Sequence, residues 1–173
     1  MSRPSLLIFL LLALAGEPLL AQECNTKIYA NSPSEQFRED TDGTVTDTRH
    51  RLMWLRCPLG MHWQNDTCHD VASSFEWADA QDEIRRFNAK GLYGHRDWRL
   101  PTLEELRTLV ERRCTDPAVN AEIFPATPST GFWSATEDAN YRDGAWLIYF
   151  RHGKAYMGNK QQAWLIRPVR NAD

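Results

Sequence analysis

The sequence predicts an α+β domain in which two helices pack on an antiparallel sheet and two disulfides staple the chain. Three features predict it. Two pairs with capping-box spacing, Ser73 with Glu76 and Thr102 with Glu105, each head a run with helical apolar spacing. After the second run the chain carries short strand-compatible segments separated by turn residues, the element order of an α+β fold. Four cysteines, Cys24, Cys57, Cys68 and Cys114, follow a secretory leader, and an oxidising compartment pairs them.

The leader is read over residues 1–21. Arg3 precedes the apolar run Leu6 to Ala15, and Ala21 is a small residue at a cleavage point; cleavage after Ala15 fits the same rule. Gly16, Glu17 and Pro18 stop the run well short of the ~20 apolar residues of a spanning helix, so no transmembrane segment is expected after cleavage. Gln22 and Glu23 stand where a lipid anchor on Cys24 needs small residues. About 150 residues then remain, enough for one domain with a single core. The formal charge is −3, and losing Arg3 with Glu17 leaves it unchanged, so no global electrostatic drive points to nucleic acid or an anionic membrane. The basic doublets Arg85–Arg86 and Arg112–Arg113 are local.

Residues 22–36, with Asn31, Ser32, Pro33 and Ser34, read as a polar arm held by Cys24, and residues 37–173 as the domain. Asp42-Gly43 is a hairpin turn signal, with Val45, Met53 and Trp54 as the buried side of its strands. The first helix is expected from about Ser74 to Asn88, with Trp77, Ala80, Ile84 and Phe87 inward, Asp79, Asp82, Glu83 and Arg86 outward, and Gly91 as the stop. The second carries the stripe Leu103, Leu106, Leu109 and Val110, with Arg112 and Arg113 in its last turn, where positive charge suits the helix dipole. Asp116-Pro117 and Phe124-Pro125 punctuate a loop. Strands are expected over Gly131 to Thr136, Ala145 to Phe150, Lys154 to Gly158 and Trp164 to Val169, with a turn at Gly153. Four cysteines allow three pairings, and sequence alone does not choose. The turn residues Pro58, Gly60, Asn65 and Asp66 favour Cys57 with Cys68, which leaves Cys24 for Cys114.

Several segments, in order, resemble the Lcl C-terminal domain family: DGTVTDTRHRLMW (Asp42 to Trp54), GHRDWRLPTLEEL (Gly94 to Leu106), FWSAT (Phe132 to Thr136), then AWLIYF and IRPVR. The most specific piece is the Asp97, Trp98, Arg99, Leu100, Pro101, Thr102 run leading into a helix. The resemblance implies an exported bacterial domain, periplasmic or secreted, with a C-type-lectin-like fold. Many members have no assigned activity, and the namesake adhesin's domain is associated with binding sulfated polysaccharides and host glycans. This chain lacks that adhesin's collagen-like repeat and the Glu-Pro-Asn or Gln-Pro-Asp tripeptides of calcium-dependent lectins. Neither a trimeric stalk nor calcium-dependent sugar selection carries over, and fold alone carries no function.

Most of the seven tryptophans, Trp77, Trp98, Trp133, Trp146 and Trp164 among them, read as core; Trp63, between Cys57 and Cys68, is the candidate exposed ring. Asp40, Asp42 and Gly43 begin like a calcium loop, but Arg51 stands where the bidentate glutamate belongs, which favours a hairpin turn. Cys57, His62, Cys68 and His69 lack the short ligand spacings of a zinc site, so no metal and no cofactor is expected. No nucleophile elbow, His-Glu-x-x-His or phosphate loop is present. Glu104 and Glu105 serve a helix start, and Glu137 with Asp138 opens a polar loop. Asp97 and Arg99 are expected as a buried pair at the sheet-to-helix junction. The resulting expectation is a non-catalytic exported recognition module for a glycan or an envelope or secreted protein. Its ligand residues are Asp138, Asn140, Tyr141, Arg142, Asp143, Asn159 and Lys160 beside Gly158, with Trp63 apart from them. Two rivals are an oxidase of the formylglycine-generating type, which needs at least one free pair of cysteines, and an inhibitor or immunity protein against a secreted toxin.

Overall fold

A computed structural model describes residues 22–173; the leader expected over residues 1–21 lies outside the described residues. The strands run β1 (Glu23–Cys24), β2 (Phe37–Glu39), β3 (Thr44–Asp47), β4 (Leu52–Leu55), β5 (His62–Gln64), β6 (Thr67–His69) and β7 (Ser74–Phe75). Helices α1 (Trp77–Lys90) and α2 (Leu103–Thr108) follow. The chain closes on β8 (Cys114–Thr115), β9 (Gly131–Glu137), β10 (Gly144–Tyr149), β11 (Lys154–Asn159), β12 (Trp164–Leu165) and β13 (Val169–Asn171). The architecture is α+β. One sheet has the order β11-β10-β9-β12-β7, a second the order β13-β4-β3-β2, and β1-β8 and β5-β6 are two-stranded. Only the β12–β9 contact in the larger sheet is parallel.

Period-two alternation along β9 and β10 buries the middle of the five-stranded sheet on both faces. Phe132 and Ile148 join Leu106, Leu109, Val45 and Trp54 in one core. Trp133 and Leu147 join Ala80, Ile84, Phe87 and Trp98 in the other. The two disulfides are Cys24–Cys114, which clamps β1 to β8, and Cys57–Cys68, which closes the β5–β6 hairpin. The arm is also held by side chains. Asn31 Nδ2 donates to the Val110 carbonyl at 2.6 Å, and Gln22 Nε2 to those of Pro117 and Val119. Among the described residues no helix is long and apolar enough to cross a membrane.

Several boundaries depart from expectation. The first helix starts at Trp77, and Ser74 lies in β7, where it pairs with Leu165. Glu76 caps the helix without a side-chain bond, and the Trp77 N–H donates to the Lys160 carbonyl at 3.0 Å. A tertiary partner has replaced the Ser73–Glu76 box. The Thr102–Glu105 box does form, with both reciprocal bonds. That helix ends at Thr108, because the chain must leave it to bring Cys114 to Cys24; Arg107, rather than Arg112 and Arg113, occupies the last turn. Met53 is half-buried on the face opposite Trp54, as alternation requires, and Leu52 takes the inward place beside it. The segment expected as one strand from Trp164 to Val169 is split between the two large sheets.

Arg167 sits at that split and is fully buried. Its Nη1 donates to the carbonyls of Leu55 and Arg56, its Nη2 to Thr127 Oγ1 at 2.8 Å, and its plane lies over Phe124. Burial pushes its pKa down to about 9, and the neighbouring cation of Arg56 adds to the shift.

Candidate functional site

Directly opposed residues of an antiparallel pair project to one face. The pairs Leu147–Tyr156 and Tyr149–Lys154 therefore put Tyr149 and Tyr156 on the same side of the larger sheet. On β9 the residue opposite Tyr149 is Gly131. With no side chain there, the Trp164 ring crosses β9: a Cβ on Gly131 would stand 2.7 Å from Trp164 Cε3. Trp164 thus reaches Tyr149, with ring centroids 6.0 Å apart and planes at 81°. On the other flank Tyr156 stands 6.2 Å from Tyr149 at 79°. His152, in the β10–β11 turn, lies 5.5 Å from Tyr149 and holds its Nε2 3.2 Å from the Tyr156 hydroxyl. Gly158 and Gln162 close the far end of a hollow of about 310 Å³. Its lining is aromatic and aliphatic with the Gln162 amide and the His152 ring, without a carboxylate, lysine or arginine. Such a surface offers flat apolar faces beside a few polar groups.

The loop and turn residues expected to bind gather at the Gly158 end. Asp138 Oδ1 accepts from the amides of Asn140 and Tyr141 at 2.9 and 3.0 Å, so its carboxylate folds the β9–β10 connection. Asn140, Tyr141, Arg142 and Asp143 are exposed. Lys160 Nζ bonds Glu137 at 2.6 Å and the Arg142 carbonyl at 2.8 Å, and lies over Trp77. Its charge therefore ties the loop to α1. Asn159 Oδ1 accepts from the Gln161 amide, and the Asn159 amide donates to Gln162 Oε1, which joins this turn to the wall of the hollow. Trp63 is elsewhere. It is half-buried, covered on one face by the Arg56 guanidinium at 4.1 Å and packed where a Gly43 side chain would stand.

The expected Asp97–Arg99 pair does not form. Asp97 is 59% exposed and bonds Arg170 Nε at 2.9 Å, which holds its carboxyl below the usual range. Arg99 bonds both oxygens of Glu105 at 2.7 Å. Each side chain has found a partner from another element, so the junction is held by two crossing ion pairs. Burial raises the Glu105 pKa, but the Arg99 and Thr102 hydrogen bonds outweigh it and leave the group lowered. Asp42 Oδ1 accepts from both the amide and the hydroxyl of Thr44, which builds the β2–β3 turn. His62 Nδ1 pairs with Asp70 at 2.7 Å and stacks on His69. Among the described residues no group of three or more His, Cys, Asp or Glu side chains converges in a metal-holding arrangement. All four cysteines are disulfide-bonded, which leaves the oxidase reading without its thiol.

Sequence reasoning missed Tyr149, His152, Tyr156 and Gln162 and put Trp164 in the core. Alternation alone places Tyr149 on the face of Leu147, but joining the rings needs the β10–β11 register and the gap at Gly131. Residues 43–170 match the Lcl C-terminal domain family. No curated protein matches the chain.

Proposed function

The chain belongs to the Lcl C-terminal domain family, and from that premise we propose that it is a non-catalytic exported recognition module that holds a glycan in the hollow walled by Tyr149, Tyr156 and Trp164. The hollow is the observation that carries the reading: its flat rings match the apolar face of a pyranose, and Gln162 and His152 supply hydrogen bonds at its ends. Asn140, Tyr141, Arg142 and Asp143 form the adjoining rim, and Asn159 and Lys160 brace it. In this reading the fold is C-type-lectin-like, residues 37–173 form the binding unit behind the arm, and the protein works in the periplasm or outside the cell. The two disulfides are consistent with such a compartment.

A glycan array followed by calorimetry with the best oligosaccharide tests it. Tyr156→Ala is expected to weaken binding about tenfold, which corresponds to ~1.4 kcal/mol. An array without hits, or affinity indifferent to the loss of Tyr156, would overturn the reading. The 53% exposure of Tyr141 on a charged loop favours one other occupant, an envelope protein. A pull-down from envelope extract that depends on Tyr141 rather than Tyr156 would select it.

A further inference from the structure

The edges of the sheets are unequal. β7 offers two residues at one edge of the larger sheet. β2 and β13, at the edges of the second sheet, have three each and carry Arg38, Glu39 and Arg170. β11 is different. It has six residues, KAYMGN, in unbroken register with β10, and no strand covers its outer side among the described residues. Between Lys154 and Asn159 it has no charge, proline or bulge, and Tyr156 and Met157 are 45% and 47% exposed on opposite faces. Proteins blunt open edges by shortness, charge, bulges or covers, and β11 uses none of these along its centre. Such an edge is a template for another strand.

We propose that β11 pairs antiparallel with β11 of a second copy of this chain, about a two-fold axis through Met157 and perpendicular to the sheet. An isologous contact must be its own complement, and this register is. Tyr156 of each copy faces Gly158 of the other, where its ring meets the Leu147 and Trp133 side chains that cover the glycine, and Ala155 faces Asn159. Lys154 arrives beside Lys160 of the other copy, whose charge is already matched by Glu137 at 2.6 Å. The Glu137 side chain is 60% exposed and has room to accept the second cation, so the strand ends meet as Lys–Glu–Lys rather than as bare like charges. The opposite assignment, an extended peptide from another protein, has no such matched end.

The axis keeps both copies' aromatic faces on one side of the joined sheet. Three strand spacings across and six residues along separate the two Tyr149 rings by about 25 Å. If the hollow binds glycan as proposed above, the dimer presents two sites to one polymer and gains avidity without a new contact.

Sedimentation equilibrium of the mature chain tests the pairing without any ligand. The weight-average mass is expected to rise from monomer to dimer across the micromolar range, since a single strand pair makes a small interface. Met157→Lys puts two charges at the axis and should weaken association at least tenfold. Lys154→Glu, an exposed change that sets a carboxylate against the other copy's Glu137, should weaken it several-fold and recover in high salt. The second variant reads the interface even if the first fails to fold. Concentration-dependent hydrogen-exchange protection confined to β11 would support the register. A monomer at millimolar concentration, a trimer, or association indifferent to both variants would overturn it. Because no glycan is present, that result leaves the glycan reading standing, and a silent array leaves the dimer standing.

Discussion

Gly131→Ala tests the physical origin of the hollow. The added Cβ would meet Trp164 Cε3 at 2.7 Å and Leu147 Cδ1 at 3.1 Å. Ordinary contact begins at 3.4 Å, so the indole must retreat by about 0.7 Å and the leucine by about 0.3 Å. Trp164 is half-buried and can swing outward, which sacrifices its edge contact with Tyr149 and part of its burial. The edge contact is worth ~0.5–1.5 kcal/mol. Overpacking of this kind, the lost contact included, costs ~1–3 kcal/mol in all. For a domain of this size the melting midpoint should fall by about 3–10 °C in thermal circular dichroism. Tryptophan emission should shift to the red as the ring meets water. The double variant Gly131→Ala/Trp164→Ala supplies the control, because without the indole the new methyl has little left to strike. An unchanged midpoint and emission in the single variant, or an equal penalty with Trp164 absent, would refute the claim that a missing side chain at Gly131 builds the wall.

Two further outcomes follow from charge. Arg167→Met removes the donors to the carbonyls of Leu55 and Arg56 and to Thr127, and each buried group left unpaired costs ~1–3 kcal/mol. The folded pKa of Arg167, about 9, lies well below that of a free guanidinium, so as pH rises through 9 the folded state sheds a proton that the unfolded chain retains. Stability from this group rises in that window, and denaturant melts at pH 8 and 10.5 should show the parent gaining relative to Arg167→Met; a constant difference would exclude the shift. Glu105 is lowered in the folded state, so its contribution is present above the ordinary glutamate pKa of 4.5 and lost as pH falls through the folded value. Glu105→Gln should flatten the acid limb of the stability curve, and an acid limb identical to the parent's would count against the Arg99 pairing.

What was legible in the sequence was local. The Thr102–Glu105 box, the Asp42-Gly43 turn and the Ala80, Ile84, Phe87 stripe depend on neighbours a few residues away, and each forms in the structure. The failures depend on distant chain. Ser73 and Glu76 have the spacing of a cap, but Trp77 finds the Lys160 carbonyl and Ser74 finds β12, and these tertiary bonds override the local one. Asp97 and Arg99 look paired because they flank Trp98, yet Arg170 and Glu105 arrive from β13 and α2. The loop and turn residues were visible as exposed polar chain, whereas the aromatic wall was not. Tyr149, Tyr156 and Trp164 lie on three different strands, and a residue that is absent in side chain, Gly131, is what lets them meet.

The hollow and the open edge share β11, and that sharing has a thermodynamic consequence. Tyr156 is at once a wall of the hollow and, in the proposed dimer, the residue set against Gly158 of the second copy. If pairing orders β11, Tyr156 is restrained before a ligand arrives, and ligand binding to the dimer would have less freedom left to remove. Linkage then requires the converse: whatever factor the dimer adds to ligand affinity, the ligand adds to dimer affinity. In the proposed dimer a monovalent sugar would enter this coupling through Tyr156 and its β11 neighbour Gly158, whereas a polymer long enough to reach both hollows would also draw on effective concentration. If both proposals hold, the same strand makes recognition depend on ligand length, a selectivity that the chemistry of one hollow does not supply.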